Sequence, residues 1–126
     1  METTITNRLY LPLAARTTAI VAGESHTDVY NPRRGGYFGF NVTAIGAAPS
    51  ITPTIQGLDP IFNVWYNIVV GSAIAATGYT VLKVFPGATP VANAVVNDYL
   101  PATWRINIAV ANADSITYAI SAFLRD

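Results

Sequence analysis

The sequence predicts an all-β protein, an antiparallel β-sandwich of about eight strands that is jelly-roll-like or Ig-like. Apolar and polar residues alternate with a period of two, which places every second side chain on the same face of a strand, and helical spacing is hard to find. Turn residues separate the alternating segments at intervals typical of such a sandwich. Neither a low-complexity tract nor a charge block is present, so we do not expect extensive disorder.

Alternation is clearest near the C-terminal end, where Trp104, Ile106 and Ile108 are interleaved with Arg105 and Asn107. The segment 116–124 repeats this pattern, and the Asn and Asp residues between the two segments predict a hairpin. The denser segments 65–70 and 79–85 are predicted to be central strands. The complete set of predicted strands is 17–22, 27–30, 37–45, 50–58, 65–70, 79–85, 104–110 and 116–124.

Single residues refine some of these strands. Pro53 lacks an amide donor and favours an edge position for the strand 50–58. Gly35 and Gly36 are interpreted as a turn before the next strand, with Arg33 and Arg34 at its rim, and the residues 86–98 as a longer connection that crosses between the sheets.

The length of 126 residues suits one compact domain. We expect an extended N-terminal arm over residues 1–16, which lack a convincing period, and a single sandwich domain over residues 17–126. An acid at position 2 and Pro12 make the beginning a poor signal peptide. The charge-free stretch 60–82 contains Asn, Ser, Thr and Gly, which favours strands over a membrane helix.

Charged residues are scarce. The chain has seven basic and seven acidic residues, 11% in total, where an ordinary domain has about 25%. A free monomer with so few charges and no net charge is poorly protected against association, and large apolar patches usually mark interfaces. We therefore expect that other chains cover much of the exterior. The neutral balance also predicts neither a nucleic-acid nor a membrane partner.

The sequence offers little for catalysis. Without cysteine, disulfides, thiolate metal sites and thiol catalysis are excluded. His26 lies near Glu24, Ser25 and Asp28, but no nucleophile motif accompanies this group, which we interpret as a polar loop or strand end. The chain is therefore not expected to be an enzyme, and no cofactor or metal is expected.

The remaining aspartates and aromatic residues are interpreted as structural. The turn-like contexts of Asp59, Asp98 and Asp114 indicate backbone hydrogen bonding rather than a cation site. The aromatic residues could form a sugar-binding platform, but the strongly patterned strands around Trp65 and Trp104 predict that both are buried.

Arg33 and Arg34 form the only basic cluster, and no basic stripe accompanies it. Contact between subunits or a turn is therefore favoured over contact with nucleic acid. The predicted protein-contact residues lie here and in the arm: Leu9, Tyr10, Arg33, Arg34 and Tyr37.

Two stretches resemble small structural proteins of tailed bacteriophages. The first is T-I-Q-G-L-D-P at residues 54–60, followed by Trp65 and Tyr66. The second runs from L-P-A-T-W-R-I at residues 100–106 to N-A-D-S-I-T-Y at residues 112–118, and F-P-G at residues 85–87 lies between the two. The resemblance extends over roughly residues 37–124, and the first thirty-five residues share no motif with the family.

This resemblance implies a virion component built as a β-sandwich, most specifically a capsid decoration or cement protein. Its implied partners are the major capsid protein and further copies of itself, with a trimer as the candidate form. It would be made in the host cytoplasm and lie on the capsid exterior. Two alternatives remain open, a tail or baseplate component and a carbohydrate-binding module.

Overall fold

The computed structural model describes residues 8–11, 24–28, 34–46, 50–111 and 116–125. Nine strands lie in these ranges, and none of the ranges contains a helix long and apolar enough to cross a membrane. The strands are β1 (Arg8–Leu11), β2 (Glu24–Asp28), β3 (Gly35–Ile45), β4 (Ile51–Asp59), β5 (Val64–Val70), β6 (Gly78–Val84), β7 (Val95–Val96), β8 (Trp104–Val110) and β9 (Ile116–Arg125).

The strands form two sheets, which confirms the predicted β-sandwich. The first sheet has the order β1-β9-β3-β6-β7 and the second the order β2-β8-β4-β5. All neighbouring strands are antiparallel except β6 and β7. The strands pair as one long hairpin that is rolled over the two sheets, with the nested pairs β1–β9, β2–β8, β3–β6 and β4–β5. This pairing is that of a jelly roll and not of an Ig-like sandwich.

The core lies between the sheets and is built by the alternation that predicts the strands. Phe38 of the first sheet contacts Trp104 of the second edge to face, with ring centroids 5.2 Å apart. Both side chains are fully buried. The other large side chains that are fully buried are Phe40, Ile51, Ile55, Leu82, Ile106, Ile108, Ile116, Tyr118 and Ile120.

The sandwich has two distinct ends. At one end, which we call the β4–β5 end, Leu58 N–H donates to the Thr103 carbonyl (3.1 Å), and Leu100 N–H donates to the Arg34 carbonyl (2.6 Å). At the other, the β5–β6 end, Ile51 and Ile74 exchange two backbone hydrogen bonds of 3.1 and 2.7 Å. The chain passes between these ends along each strand.

Two expectations about strand neighbours are wrong. The segments 104–110 and 116–124 do not pair as a hairpin, because β8 pairs with β2 and β4 while β9 pairs with β1 and β3. The segment 65–70 is not central, because β5 forms an edge of the second sheet and most of its side chains are exposed.

Pro53 also differs from expectation, because β4 lies between β8 and β5. The Pro53 carbonyl accepts a hydrogen bond from Gly71 N–H (2.8 Å), on the side where β5 has just ended. Since the N and O atoms of a strand residue point to the same neighbour, the missing amide hydrogen faces the end of β5 and breaks no ladder bond within it.

Other boundaries differ by a few residues. Gly35 and Gly36 begin β3 instead of forming a turn. The connection from β6 to β8 does cross between the sheets, and it adds the short strand β7 that the sequence did not predict. Strand β2 overlaps the predicted segment 27–30 only at its first two residues, while β1 lies within the predicted arm. The predicted strand 17–22 lies outside the described residues.

Candidate functional site

The outer surface of the first sheet carries several aromatic side chains. Phe123 of β9, Tyr37 of β3 and Lys83 of β6 are opposite one another in register. The Tyr37 and Phe85 rings lie 5.8 Å apart, and Lys83 Nζ lies 5.1 Å from the Tyr37 ring centroid. We call this surface, formed by Tyr37, Tyr79, Phe85 and Phe123, the aromatic face.

The Tyr79 ring extends from β6 over Gly39 of β3, and the missing side chain of Gly39 makes this position possible. A Cβ atom on Gly39 would lie 2.5 Å from Tyr79 Oη and 2.8 Å from Ser121 Oγ. The Tyr79 side chain is 63% exposed, so it is held against the sheet surface without being enclosed. A shallow groove of about 260 Å³ runs beside it, bordered by Asn41 and Ala119.

The turn between β4 and β5 exposes two large apolar side chains. Ile61 is 84% exposed and Phe62 is 75% exposed. The residues of an ordinary surface turn are polar or small, because exposing apolar area to water is unfavourable. We call Ile61 and Phe62 the apolar tip.

Hydrogen bonds within the β4–β5 turn hold the backbone of the apolar tip in place. Asp59 Oδ1 accepts from the N–H groups of Ile61 (2.9 Å) and Phe62 (3.2 Å). Asn63 N–H donates to the Asp59 carbonyl (2.7 Å), and Asn63 has a φ of 57°, a conformation that Asn tolerates better than most residues. The turn therefore presents Ile61 and Phe62 in a defined geometry.

The outer surface of the second sheet has a different chemistry. Arg105 Nε donates to Gln56 Oε1 (2.6 Å), and Gln56 Nε2 donates to Asn67 Oδ1 (2.8 Å). The Arg105 guanidinium carbon lies 4.3 Å from the Trp65 ring centroid. These three polar side chains therefore hydrogen-bond to one another in a row along the sheet surface.

The prediction that both tryptophans are buried is therefore half right. Trp104 is fully buried, whereas Trp65 lies on the edge strand β5 and is only half-buried. The Arg105 guanidinium covers one face of the Trp65 ring, so that face is not free to stack on a sugar.

The structure places the predicted contact residues on and around the first sheet. Leu9 and Tyr10 lie in β1, opposite Ala122 and Ser121 of β9. Arg34 is exposed directly before β3, and Tyr37 is half-buried on the aromatic face, one strand away from β1 across β9. Arg33 lies outside the described residues. Contact of these residues with a partner stays a prediction.

The sequence analysis did not single out several large apolar residues that the structure exposes, among them Ile61, Phe62, Tyr79 and Phe123. The apolar tip had a signal in the sequence: Asp59 and Pro60 mark a turn, and large apolar residues at the centre of a turn have no core to enter. Alternation in β9 leaves Phe123 outside the inward set, whereas the dense apolar segment of β6 gave no such signal for Tyr79.

Of the three aspartates predicted to have turn-like contexts, the two that the structure describes accept hydrogen bonds from nearby backbone N–H groups. Asp59 caps the β4–β5 turn, and Asp98 Oδ1 accepts from Tyr99 N–H (2.7 Å). Asp114 lies outside the described residues. His26 lies in β2 opposite Ile106. Within the described ranges, no group of three or more His, Asp or Glu side chains is arranged to hold a metal ion.

No protein-family model matches the sequence, and no curated protein matches it. Among solved structures, the chain is similar to a chain of the cowpea mosaic virus top component, which consists of naturally occurring empty particles. The match covers 92% of this chain and 85% of that chain, with 14% sequence identity and a TM-score of 0.46. A likeness of this size carries no information about function.

Proposed function

We propose that the protein is a structural subunit of a virion, most specifically a capsid decoration protein that binds and stabilises the major capsid lattice from outside. The observation that carries this proposal is the exposure of large apolar side chains on a chain with only 11% charged residues. The resemblance of residues 37–124 to structural proteins of tailed bacteriophages supports the same assignment. In this role the protein is not an enzyme.

The aromatic face is the part of the exterior best suited to a capsid partner. Phe123 is 43% exposed and lies beside Tyr37, so apolar area is continuous across β9 and β3. Removing such area from water contributes about 25 cal/mol per Å² before the costs of association are subtracted. In this proposal the protein binds the assembled lattice and not its free subunits, so the free energy of binding stabilises the shell by mass action.

Fold alone does not select this function. Jelly rolls also occur in lectin and cupin domains, so the assignment depends on surfaces rather than topology. Two observations disfavour a sugar-binding platform on the second sheet. Arg105 covers one face of the Trp65 ring, and the polar side chains of Arg105, Gln56 and Asn67 already hydrogen-bond to one another. A tail or baseplate component would share the same surfaces, and copy number separates the two, because decoration proteins occur in hundreds and tail parts in few.

Co-sedimentation with emptied capsids tests the proposal. The wild-type chain should pellet with shells, and Phe123→Asp should pellet much less, because the carboxylate would have to be desolvated in the contact. Asn67→Asp is the matched control: it adds the same charge on the opposite sheet and keeps an acceptor for Gln56. A chain that never sediments with shells, or that sediments equally well with either substitution, would contradict the proposal.

A further inference from the structure

We propose that two copies of this chain pair through strand β5, antiparallel and about a two-fold axis, so that their four-stranded second sheets join into one continuous sheet. This inference goes beyond the proposed function and does not depend on it. It rests on the backbone groups and side chains that β5 presents at the edge of the second sheet.

Strand β5 is the least protected edge of the sandwich. Of the four edge strands that the structure describes, β7 has two residues, and β1 has four residues that include Arg8. The edge strand β2 carries Glu24 and Asp28. Short length and charge are means by which natural proteins keep sheet edges from pairing. Strand β5 has seven residues without a charge or a proline, so it is the edge best suited to pair.

The hydrogen bonds of β4 determine which backbone groups of β5 point to the edge. Leu58 N–H donates to the Thr103 carbonyl, on the β8 side of β4. Trp65 lies opposite Leu58 in register, so the N–H and carbonyl of Trp65 point away from β4. The same holds for Asn67, two residues further along β5. The edge of β5 therefore presents two N–H groups and two carbonyls to a further strand.

This open segment is bounded on both sides. Asn93 Nδ2 donates to the Val70 carbonyl (2.9 Å), and a register shift interrupts the pairing of β5 with β4 beyond Asn67. On the other side, the Asn63 N–H is used within the β4–β5 turn. The groups left for a further strand are therefore those of Trp65 and Asn67.

A second copy of β5 matches these groups in one register. With Tyr66 on the two-fold axis, Trp65 of each copy lies opposite Asn67 of the other, and each of these two pairs exchanges two hydrogen bonds. A register centred on Trp65 would place Asn67 opposite Asn63 of the turn. A register centred on Asn67 would place Trp65 opposite Val69, beyond the register shift. Only the register centred on Tyr66 uses every open group, and this match of the edge to itself indicates a second copy as the partner.

The side chains agree with the same register. Trp65 and Asn67 both contact polar side chains on the outer surface of the second sheet, so the residues of each pair lie on the same face. Alternation places Tyr66, which is 43% exposed, on the other face, where it would contact Tyr66 of the second copy. The exposed Val64 lies beside this contact. Because β5 has no charged residue, no like charges oppose each other across the axis.

Substitutions on the two-fold axis test the pairing by sedimentation velocity. Tyr66→Lys or Tyr66→Glu places two like charges opposite each other, so each variant alone should dimerise at least about tenfold more weakly than wild type. An equimolar mixture of the two variants should recover dimers, because opposite charges then face each other. Thr43→Lys and Thr43→Glu are the matched controls, since Thr43 is exposed on the opposite sheet, and they should dimerise like wild type. Thermal unfolding followed by tryptophan fluorescence verifies that each variant is folded.

Hydrogen exchange of the wild-type chain tests the register without any substitution. The amides of Trp65 and Asn67 should become protected as the protein concentration rises, whereas the Tyr66 amide, which faces β4, should be protected at every concentration. A wild type that stays monomeric would overturn the proposal. So would a mixture of the Tyr66 variants that dimerises no better than either alone, or dimers in which Trp65 and Asn67 exchange as fast as in the monomer.

These outcomes are separable from those of the proposed function. A chain that pellets with shells but never dimerises would overturn the β5 pairing and leave the capsid assignment standing. A chain that dimerises through β5 but never pellets with shells would do the reverse.

Discussion

Two glycines on β3 show how a single missing Cβ shapes the aromatic face. At Gly35 a Cβ would lie 2.6 Å from the Val84 carbonyl oxygen and 2.7 Å from Phe85 Cβ. At Gly39 the obstacles are instead the ends of the Tyr79 and Ser121 side chains. The backbone and Cβ atoms around Gly35 cannot move without shifting β6, whereas the exposed Tyr79 ring can rotate away.

Alanine substitutions at these two positions should therefore differ in cost. Gly35→Ala should lower the free energy of unfolding by about 1–3 kcal/mol, as overpacking does, and Gly39→Ala should cost less. Urea denaturation of the two variants measures the difference. Equal losses at both positions would contradict the packing described around Gly35.

The sequence did not reveal these roles, because a glycine pair is equally compatible with a turn and with a strand packed closely on its neighbours. Gly35 and Gly36 were interpreted as a turn for that reason. The distinction depends on Phe85, which is distant in sequence, and no local pattern reports it.

At the scale of elements, the β4–β5 turn is the feature on which the apolar tip depends. Asn63 ends the turn with a φ of 57°, in the left-handed region. Non-glycine residues there, and β-branched residues above all, are strained because Cβ approaches the carbonyl oxygen. The position therefore selects Asn or Gly.

We predict that Asn63→Gly leaves stability within about 0.5 kcal/mol of wild type, while Asn63→Val costs about 1–2 kcal/mol. Thermal or urea unfolding checks both. If Val were tolerated as well as Gly, the turn would not have the left-handed residue that orients Ile61 and Phe62.

Alternation predicted the positions of most strands but not their partners. Strand β8 has the predicted bounds, yet its predicted hairpin with the following strand is wrong. The apolar side chains of a strand alternate with a period of two whether the chain turns back within one sheet or crosses to the other, so the alternation does not identify the pairing partner. Likewise, the apolar density of β5 suggested a central strand. Part of that apolar surface instead remains exposed at a sheet edge.

At the scale of the whole molecule, the small number of charged residues in the sequence agrees with the exposure of large apolar side chains on the surface. The chain exposes 6,761 Å² and has fourteen ionisable Asp, Glu, Lys and Arg residues to solvate it. The sequence therefore predicted that apolar area would be exposed. It could not predict which area, because that depends on how the rolled sheets bring Phe123 and Tyr37 together.

An association based on apolar area should respond to salt in a characteristic way. Binding to shells should not weaken when NaCl is raised to roughly 1 M, where charges are screened beyond about 3 Å, and sulfate should strengthen it. Co-sedimentation across a salt series measures this. A tenfold weaker affinity, equivalent to about 1.4 kcal/mol, would indicate an electrostatic contact instead.

The central claim is that neighbouring chains cover the apolar exterior, and hydroxyl-radical footprinting tests it most directly. Oxidation of Phe62, Tyr79 and Phe123 would be compared between the isolated chain and the native assembly, with the buried Trp104 as an internal reference that reacts slowly in both. We predict strong protection of the three exposed residues in the assembly. Equal oxidation in both states would show that this surface stays in water and would contradict the account.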